Sequence, residues 1–212
     1  MPTEHEAQRP ADAFRIVVVC TANICRSPIA ERLLRHSLDN DAWRLQRDIP
    51  IIVTSAGTRA TDRPLPEDTV AELVRLGLPT SPHTPVLLDP VVLEKADLVL
   101  GLTRDHRRSI VRVAPRLSTR AFTLVEFDRV LNFIRTERAS AIPQYDSLAA
   151  GDFLREITSM AARLRGSMPP AGDPSELDIE NPYNRGTAVY RRVADRIAGS
   201  TGSIVDSLRT FA

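Results

Sequence analysis

The stretch V-V-V-C-T-A-N-I-C-R-S-P runs from Val17 to Pro28 and continues an apolar segment that begins at Phe14. A short apolar run is typical of a buried strand, and proline is common in the first turn of a helix. The stretch therefore predicts a strand, a tight loop and a helix. Five residues separate Cys20 from Arg26 in the loop. Because backbone N–H groups that converge at a helix N-terminus bind anions, the loop is predicted to bind phosphate.

The thiol of Cys20 is the candidate nucleophile of this loop. The field that binds a phosphate also stabilises the thiolate, which is the form that attacks. Arg26 carries a planar guanidinium that can hold two phosphate oxygens, a geometry that lysine does not offer. We expect the hydroxyl of Ser27 to hydrogen-bond the Cys20 sulfur, most usefully when the sulfur is the leaving group. A cysteine and an arginine at this spacing are a weak signal alone, whereas the whole string is much more specific.

The string resembles the signature C-x-G-N-x-C-R-S-P of the low-molecular-weight protein tyrosine phosphatases, which also follows a hydrophobic first strand. The matching residues are Val19 at the strand end, Cys20, Asn23, Cys25, Arg26, Ser27 and Pro28. Ala22 stands where the family usually has glycine. Either Ala22 adopts a backbone conformation that glycine reaches more easily, or the loop has a slightly different shape. The resemblance implies a phosphotyrosine-protein phosphatase that acts through a phosphocysteine intermediate.

Apolar strands and amphipathic helices alternate along the rest of the chain. This order predicts an α/β fold with one four-stranded parallel sheet and helices on both of its faces. The predicted strands are Phe14–Val19, Ile49–Thr54, Asp97–Leu102 and Thr119–Leu124. The predicted helices begin near Pro28, Glu67, Thr103, Val125 and Thr187. We expect the last of them to be interrupted near Gly199–Gly202.

A chain of 212 residues is long enough for one domain with a buried core, which we place at residues 14–212. Residues 1–13 are polar and are expected to form a flexible tail. The segment from about 137 to 177 is longer than the family needs and is expected to be an insert, with one amphipathic helix at Ser147–Leu164. Neither a signal peptide nor a membrane span is expected, because the tail lacks an apolar run and no ~18 apolar residues run together.

The composition restricts the classes of partner and cofactor. The 28 basic and 27 acidic residues nearly cancel, so there is no global electrostatic case for binding nucleic acid or an anionic membrane. Both cysteines lie in the loop, which leaves none for a disulfide framework and predicts a reduced, cytoplasmic protein. Neither a metal nor another cofactor is expected, because none of the four histidines has ligand spacing with the cysteines.

The resemblance also implies residues that support or protect the loop. In the family, an asparagine of the loop, a serine of an S-A-G-T turn and a later histidine hold the loop in its strained shape. The matching residues here are Asn23, Ser55 and His83. The second loop cysteine, here Cys25, can form a reversible disulfide with the nucleophile that shields it from over-oxidation. A second interpretation is that Cys25 only fills space beneath the loop.

The general acid is where the sequence departs from the family. The family places an Asp-Pro pair and an aromatic residue before its last helix, and the aspartic acid protonates the tyrosine oxygen and later activates water. The matching segment here is D-I-E-N-P-Y, with Asn181 at the position of the acid, and a carboxamide has no proton to give. Either Asp178 or Glu180 substitutes in part, the alternative that we favour, or leaving-group protonation is lost. Tyr183 is expected to flank the pocket and stack on an aryl substrate.

The predicted site combines these segments. The candidate catalytic residues are Cys20, Arg26, Asp178 and Glu180, and the candidate substrate-binding residues are Thr21, Ala22, Asn23, Ile24, Cys25, Ser27, Asn181 and Tyr183. The implied partner is a phosphotyrosine-containing protein, with a bacterial tyrosine kinase as one candidate. Two other functions stay open. One is an arsenate reductase of the same fold that uses a small external thiol, and the other is a phosphotyrosine-binding protein of little activity, which Asn181 favours and the intact loop disfavours.

Overall fold

Four parallel strands form the sheet of this computed structural model, which describes residues 13–39, 50–142 and 150–211. The strands are β1 Phe14–Cys20, β2 Ile51–Gly57, β3 Leu98–Gly101 and β4 Ala121–Thr123. Their spatial order is β2-β1-β3-β4, so β1 has a parallel neighbour on each side. The carboxyl ends of β1, β2 and β3 therefore meet at one edge of the sheet, which is where open α/β sheets bind ligands.

Helices cover both faces of the sheet, which confirms the predicted α/β fold. The α-helices among the described residues are α1 Arg26–Asp39, α2 Glu67–Arg75, α3 Pro90–Leu93, α4 Arg104–Val113, α5 Leu124–Glu137, α6 Ala150–Leu164 and α7 Thr187–Phe211. Short 3₁₀ turns occupy Pro115–Leu117, Ala139–Ala141, Arg165–Ser167 and Pro174–Leu177. None of the helices that the structure describes is long and apolar enough to cross a membrane.

The central strand β1 contributes to two cores, because alternate side chains of a strand point to opposite faces. Val17 and Val19 join a smaller core that includes residues of α3 and α4. Ile16 and Val18 join a larger core that includes residues of α1, α5, α6 and α7. This double burial explains why the sequence of β1 is apolar at consecutive positions rather than at alternate ones.

The predicted insert contributes a helix to the larger core. Helix α6 buries Phe153, Leu154, Ile157, Met160 and Ala161 there. Burying each of the larger side chains contributes about 1.5–3 kcal/mol, so α6 packs into the same core as α1, α5 and α7. The predicted helix start at Ser147 and the predicted tail up to residue 12 lie outside the described residues.

The last helix, α7, is continuous from Thr187 to Phe211, so the predicted interruption near Gly199–Gly202 is wrong. Glycine in a helix interior costs about 1 kcal/mol relative to alanine. That cost is too small to break a helix whose apolar stripe, including Ile197, Ile204 and Val205, is buried in the larger core. Tertiary packing therefore overrides the local preference.

Candidate active site

The loop between β1 and α1 surrounds the sulfur of Cys20. Cys20 is the last residue of β1, and α1 begins at Arg26. The backbone N–H of Asn23 donates to the Cys20 Sγ at 3.3 Å, and the Ser27 Oγ lies 3.0 Å from the same sulfur. The hydrogen bond between Ser27 and the Cys20 sulfur that we expect from the sequence is therefore present. A nucleophilic sulfur thus lies at the N-terminus of a helix, where an anion is also stabilised.

A chain of hydrogen bonds determines which way the Ser27 hydroxyl points. The Asn23 Nδ2 donates to the Ser27 Oγ at 2.9 Å and to the Ser55 Oγ at 2.8 Å. Ser55 in turn donates its hydroxyl hydrogen to the Glu31 Oε2 at 2.5 Å. Because the Ser27 oxygen already accepts a hydrogen bond from Asn23, its own hydrogen is available to the Cys20 sulfur. A hydroxyl donor in this position can stabilise negative charge on the sulfur when it is the leaving group.

The strained residue of the loop is Asn23, whose φ of 59° lies in the left-handed region. Asparagine is one of the few residues other than glycine that visit this region. His83 Nε2–H donates to the Asn23 carbonyl at 2.8 Å, and the Val86 N–H donates to the Asn23 Oδ1 at 2.8 Å. Ala22 does not take a positive φ, so a methyl group at that position requires no strained backbone. The predicted supports Asn23, Ser55 and His83 thus form one contact network.

Gly57 lets the turn after β2 pack directly against the phosphate loop. A Cβ atom at Gly57 would lie 2.6 Å from the Thr21 carbonyl oxygen, closer than a side-chain carbon can approach. The two segments are joined by backbone hydrogen bonds, from the Thr58 N–H to the Cys20 carbonyl at 2.9 Å and from the Arg59 N–H to the Thr21 carbonyl at 2.8 Å. The sequence signal for this contact was the glycine of the S-A-G-T turn.

The side chain of Arg26 is anchored from two directions. Its Nη1 donates to the Ile179 carbonyl at 2.9 Å, and its Nη2 donates to the Thr21 Oγ1 at 3.3 Å. Burial lowers the pKa of the guanidinium, which starts so far above neutrality that the group stays charged. The candidate phosphate ligand is therefore tied to the same late segment that contains Asn181.

A pocket of about 200 Å³ opens over the loop. Its lining residues are Cys20, Thr21, Ala22, Ile24, Cys25, Arg26, Thr61, Arg63, Asn181 and Tyr183. Ala22, Ile24 and Tyr183 belong to one apolar cluster, and the Arg63 guanidinium donates to the Tyr183 hydroxyl at 2.8 Å. The pocket thus combines an anion-binding loop with apolar walls and a cation. Thr61 and Arg63 were not predicted, because no pattern in their segment marks them.

Comparison with known proteins agrees with this geometry. Residues 15–138, more than half of the chain, match the model of a family described as "Low molecular weight phosphotyrosine protein phosphatase". The chain belongs to this family. The predicted membership of a protein-tyrosine-phosphatase family is confirmed.

Individual relatives of the phosphatase include proteins named for two substrates. The protein-arginine-phosphatase of Bacillus subtilis (strain 168) is 31% identical over 112 residues, which are 53% of this chain and 71% of that protein. The low molecular weight protein-tyrosine-phosphatase Etp of Escherichia coli (strain K12) is 32% identical over 103 residues, 48% of this chain and 63% of Etp. The solved YwlE arginine phosphatase from Geobacillus stearothermophilus is 22% identical and superimposes with a TM-score of 0.62 over 93% of this chain and 94% of its own. At that identity the superposition shows the shared fold alone.

Asp178, a candidate proton donor, is hydrogen-bonded to Arg104 at the start of α4. The family match ends at residue 138, so the segment with Asn181 lies outside it. Asn181 lines the pocket of the phosphatase, whereas Asp178 does not. The Asp178 carboxylate accepts the Arg104 backbone N–H at 2.7 Å and pairs with the Arg104 guanidinium at 2.9 Å. Burial acts to raise the pKa of Asp178, but the hydrogen bonds from Arg104 outweigh it and leave the pKa below its ordinary value.

Glu180, the other candidate, also has partners outside the pocket. Its carboxylate pairs with Arg192 at 2.7 Å and with Arg185 at 3.2 Å, and the hydrogen bond from Arg192 lowers its pKa. A carboxyl group with a lowered pKa is ionised at neutral pH and holds no proton to give. Proton donation by Asp178 or Glu180 stays a prediction, and it requires that carboxylate to leave its ion pair.

Cys25 lies beneath the loop next to the last helix. Its Sγ is 3.5 Å from the Tyr190 hydroxyl, and burial raises the pKa of both groups. Cys20 and Cys25 are both free thiols, so the shielding disulfide stays a prediction. Across the described residues, no group of three or more His, Cys, Asp or Glu side chains is placed to hold a metal ion.

His106 is a residue of the site that sequence reasoning missed. Its ring is 5% exposed, and its Nε2 lies 3.0 Å from the Thr21 Oγ1 of the phosphate loop. Burial, aided by the charge of Arg26, lowers the pKa of His106 to about 4, so the ring is neutral at neutral pH. The sequence marks this histidine only by its place in the first turn of α4, three residues after the capping Thr103.

The low pKa of His106 predicts a pH dependence of stability. Between pH ~6.5 and the folded pKa of about 4, the unfolded chain binds a proton at His106 that the folded protein excludes, so the free energy of unfolding falls as the pH falls. Protonation of His106 is expected to lower the free energy of unfolding of the wild type by up to about 3 kcal/mol over this pH range. His106→Gln is expected to lack this decrease. Urea unfolding at several pH values measures it. The matched control is His36→Gln, at an exposed histidine, and equal pH slopes in wild type and His106→Gln would contradict the prediction.

Proposed function

We propose that the chain hydrolyses phosphotyrosine on proteins through a phosphocysteine on Cys20. The observation that carries this proposal is that the Cys20 sulfur, the anchored Arg26 and the Ser27 hydroxyl meet at one pocket. The thiolate attacks phosphorus, the new P–S bond forms, and the electron pair of the broken P–O bond leaves on the phenolic oxygen. Water then attacks the phosphocysteine, which releases phosphate and returns the thiolate.

The arginine and serine have separate tasks in these two steps. Arg26 holds equatorial phosphoryl oxygens and balances the charge that they carry in both transition states. Its anchors, the Ile179 carbonyl and the Thr21 hydroxyl, fix the guanidinium before the substrate arrives. Ser27 donates to the Cys20 sulfur and stabilises it as the leaving group when water attacks.

The walls of the pocket support an aromatic substrate over phosphoarginine, the kind of substrate that the name of the B. subtilis relative implies. Ile24 and Tyr183 can pack against a phenyl ring. The pair formed by the Tyr183 ring and the phenyl ring would contribute about 0.5–1.5 kcal/mol beyond its buried area. A phosphorylated guanidino group carries positive charge on its remaining nitrogens. Arg63, which lines the pocket, would repel that charge.

Leaving-group protonation is proposed to be weak in this phosphatase. Asn181 lines the pocket at the position where the family places its acid, and an amide can donate a hydrogen bond but not a proton. Asn181 and Arg63 are both donors that can stabilise a departing phenolate. We propose that they support the phenolic oxygen without protonating it.

The test is phosphate release from a phosphotyrosyl peptide and from a phosphoarginyl peptide of the same sequence. Wild type is expected to prefer the phosphotyrosyl peptide, and Arg26→Lys is expected to lower kcat/KM by ~10²-fold, because a point charge replaces a two-pronged donor. Arg108→Lys, at an exposed arginine of α4, is the matched control and should retain wild-type turnover.

Other outcomes of this assay would point to other functions. Preference for the phosphoarginyl peptide would contradict the proposed substrate. Reduction of arsenate with a small thiol, without peptide hydrolysis, would identify an arsenate reductase. Peptide binding without turnover would identify a phosphotyrosine-binding protein.

The relatives of the chain support a proposed partner, and its cysteines support a proposed compartment. A phosphotyrosine-bearing protein is the substrate, and a bacterial tyrosine kinase is one candidate, since relatives named protein-tyrosine-phosphatases come from bacteria. We place the protein in the cytoplasm because a reducing compartment keeps Cys20 and Cys25 as thiols. We also propose that residues 14–212, with the insert, form one domain.

A further inference from the structure

A hydrogen-bonded pair, His106 and Thr21, joins helix α4 to the phosphate loop. The His106 Nε2 lies 3.0 Å from the Thr21 Oγ1, and its Nδ1 lies 2.9 Å from the Thr103 Oγ1. Gly101 allows α4 to start close to the end of β3, because a Cβ atom there would lie 3.1 Å from the His106 Cβ and 2.8 Å from the Arg107 backbone nitrogen. Both ring nitrogens therefore have a fixed hydroxyl partner in a buried place.

The number of hydrogens in this network limits its arrangements to two. The neutral ring carries one N–H, so one nitrogen donates and the other accepts. The Thr103 Oγ1 already accepts the His106 backbone N–H at 3.2 Å, and the Thr21 Oγ1 already accepts from the Arg26 Nη2 at 3.3 Å. If Nδ1–H donates to Thr103, the Thr103 hydroxyl hydrogen has no acceptor among the contacts of the described residues. If Nε2–H donates to Thr21, Thr103 gives its hydrogen to Nδ1, and the hydrogen left without an acceptor is that of the Thr21 hydroxyl, which lines the pocket and can donate to a ligand there.

We propose that His106, as the Nε2–H tautomer, makes the Thr21 hydroxyl a one-way hydrogen-bond donor to the phosphoryl group, so that His106 is a positioning residue for anion binding. In this arrangement His106 and Arg26 occupy both lone pairs of the Thr21 oxygen, which can then only donate. Thr21 lines the pocket together with Cys20. A bound anion favours the arrangement, because the other tautomer would turn the Thr21 hydrogen away from it and into the ring.

His106 acts by setting the direction in which the Thr21 hydroxyl donates its hydrogen bond, and it transfers no proton. A ring with a pKa of about 4 is too weak a base to take a proton from water at neutral pH. The expected gain is one hydrogen bond to a charged ligand, added to those of the backbone N–H groups. The inference rests on the proposed function, since it takes the Cys20 loop as the phosphate site.

The first test is NMR of the phosphatase labelled with ¹⁵N in histidine, recorded free and with saturating inorganic phosphate. The chain has four histidines, and the spectrum of His106→Gln identifies the signals of His106. We expect the Nε2–H tautomer at His106 in the phosphate-bound protein. An Nδ1–H tautomer in the bound protein would overturn the inference. Calorimetry on the same samples separates the two proposals, because a wild type that binds no phosphate would instead count against the proposed function.

The second test is a double-mutant cycle on phosphate affinity. Thr21→Val removes the donor at nearly the same volume and is expected to weaken phosphate binding about tenfold, whereas Thr21→Ser should retain it. His106→Leu keeps the Thr21 hydroxyl but removes the contact that directs it toward the anion, so a similar loss is expected. The double variant should bind no more weakly than either single variant, because all three lack the same oriented hydrogen bond to phosphate. Additive losses would overturn the inference, since a merely structural role of His106 would leave the effect of Thr21→Val unchanged.

Discussion

Replacing Cys20 by serine is expected to lower the turnover of a phosphotyrosyl peptide by ~10⁶-fold, the scale of loss seen when a covalent nucleophile is removed. A serine hydroxyl without a neighbouring general base is a much weaker nucleophile than a cysteine sulfur, so the loop presents no group that readily attacks phosphorus. The measurement is single-turnover and steady-state phosphate release at neutral pH. Cys20 is buried at the end of β1, and the substitution exchanges only its sulfur atom for oxygen. We therefore expect the surrounding sheet to stay in place.

Binding is the control for this variant. The backbone N–H groups, Arg26 and Tyr183 are all unchanged in Cys20→Ser, so its affinity for the phosphotyrosyl peptide is expected to stay within a few-fold of the wild-type KM. Retained binding with lost turnover shows a folded site that lacks its nucleophile. Turnover near the wild-type rate would remove Cys20 from the mechanism, and the phosphocysteine with it.

Replacing Asn181 by aspartate is expected to raise the turnover of phosphotyrosine by ~10²–10⁴-fold, the usual contribution of a general acid. The reason is that Asn181 already lines the pocket, so the new carboxyl needs no rearrangement to reach the leaving oxygen. p-Nitrophenyl phosphate, whose leaving group needs little protonation, should gain much less. The measurement is a series of aryl phosphates of rising leaving-group pKa, on which wild type is expected to show a steep dependence and Asn181→Asp a shallow one.

The matched control is Asn184→Asp, the same chemical change in the same segment at an exposed asparagine, which should keep the steep wild-type dependence. Asp178→Asn and Glu180→Gln test the two carboxylates. If one of them donates the proton, its removal should slow the poor leaving groups selectively, and Asn181→Asp should change little. A shallow dependence in wild type and all of these variants would show that the proton comes from elsewhere and would remove the segment 178–183 from the mechanism.

The loop motif made the fold and the chemistry predictable because both follow from local sequence. A continuous apolar strand, a cysteine at its end and a helix that begins at Arg26 are adjacent in the chain, and the family signature constrains the same residues. The helix boundaries were harder, and α7 shows why. Two glycines predict a break from local propensity alone, whereas the packing of the whole helix on the core outweighs their cost.

The proton-donor question shows how far sequence reasoning could go at this site. The substitution at position 181 is visible in the sequence, and so are the two neighbouring carboxylates. The cations that pair with these two carboxylates cannot be identified from the sequence. Arg104 lies 74 positions from Asp178 and Arg192 lies 12 positions from Glu180, and only the folded chain places each cation against its carboxylate.

The phosphate-loop motif and the absence of an aspartate at position 181 could be read from the sequence alone, because each depends on residues that are close together in the chain. The parallel α/β sheet was predictable from the alternation of apolar strands and amphipathic helices along the chain. The tertiary structure alone decided which distant residues complete the site: His106 against Thr21, the Ile179 carbonyl against Arg26, and Arg63 at the pocket. These contacts arise where the carboxyl ends of neighbouring strands meet, and no local periodicity encodes that meeting. The physical reason is that hydrogen-bond partners are chosen by distance in space, and the fold sets that distance only after the core has formed.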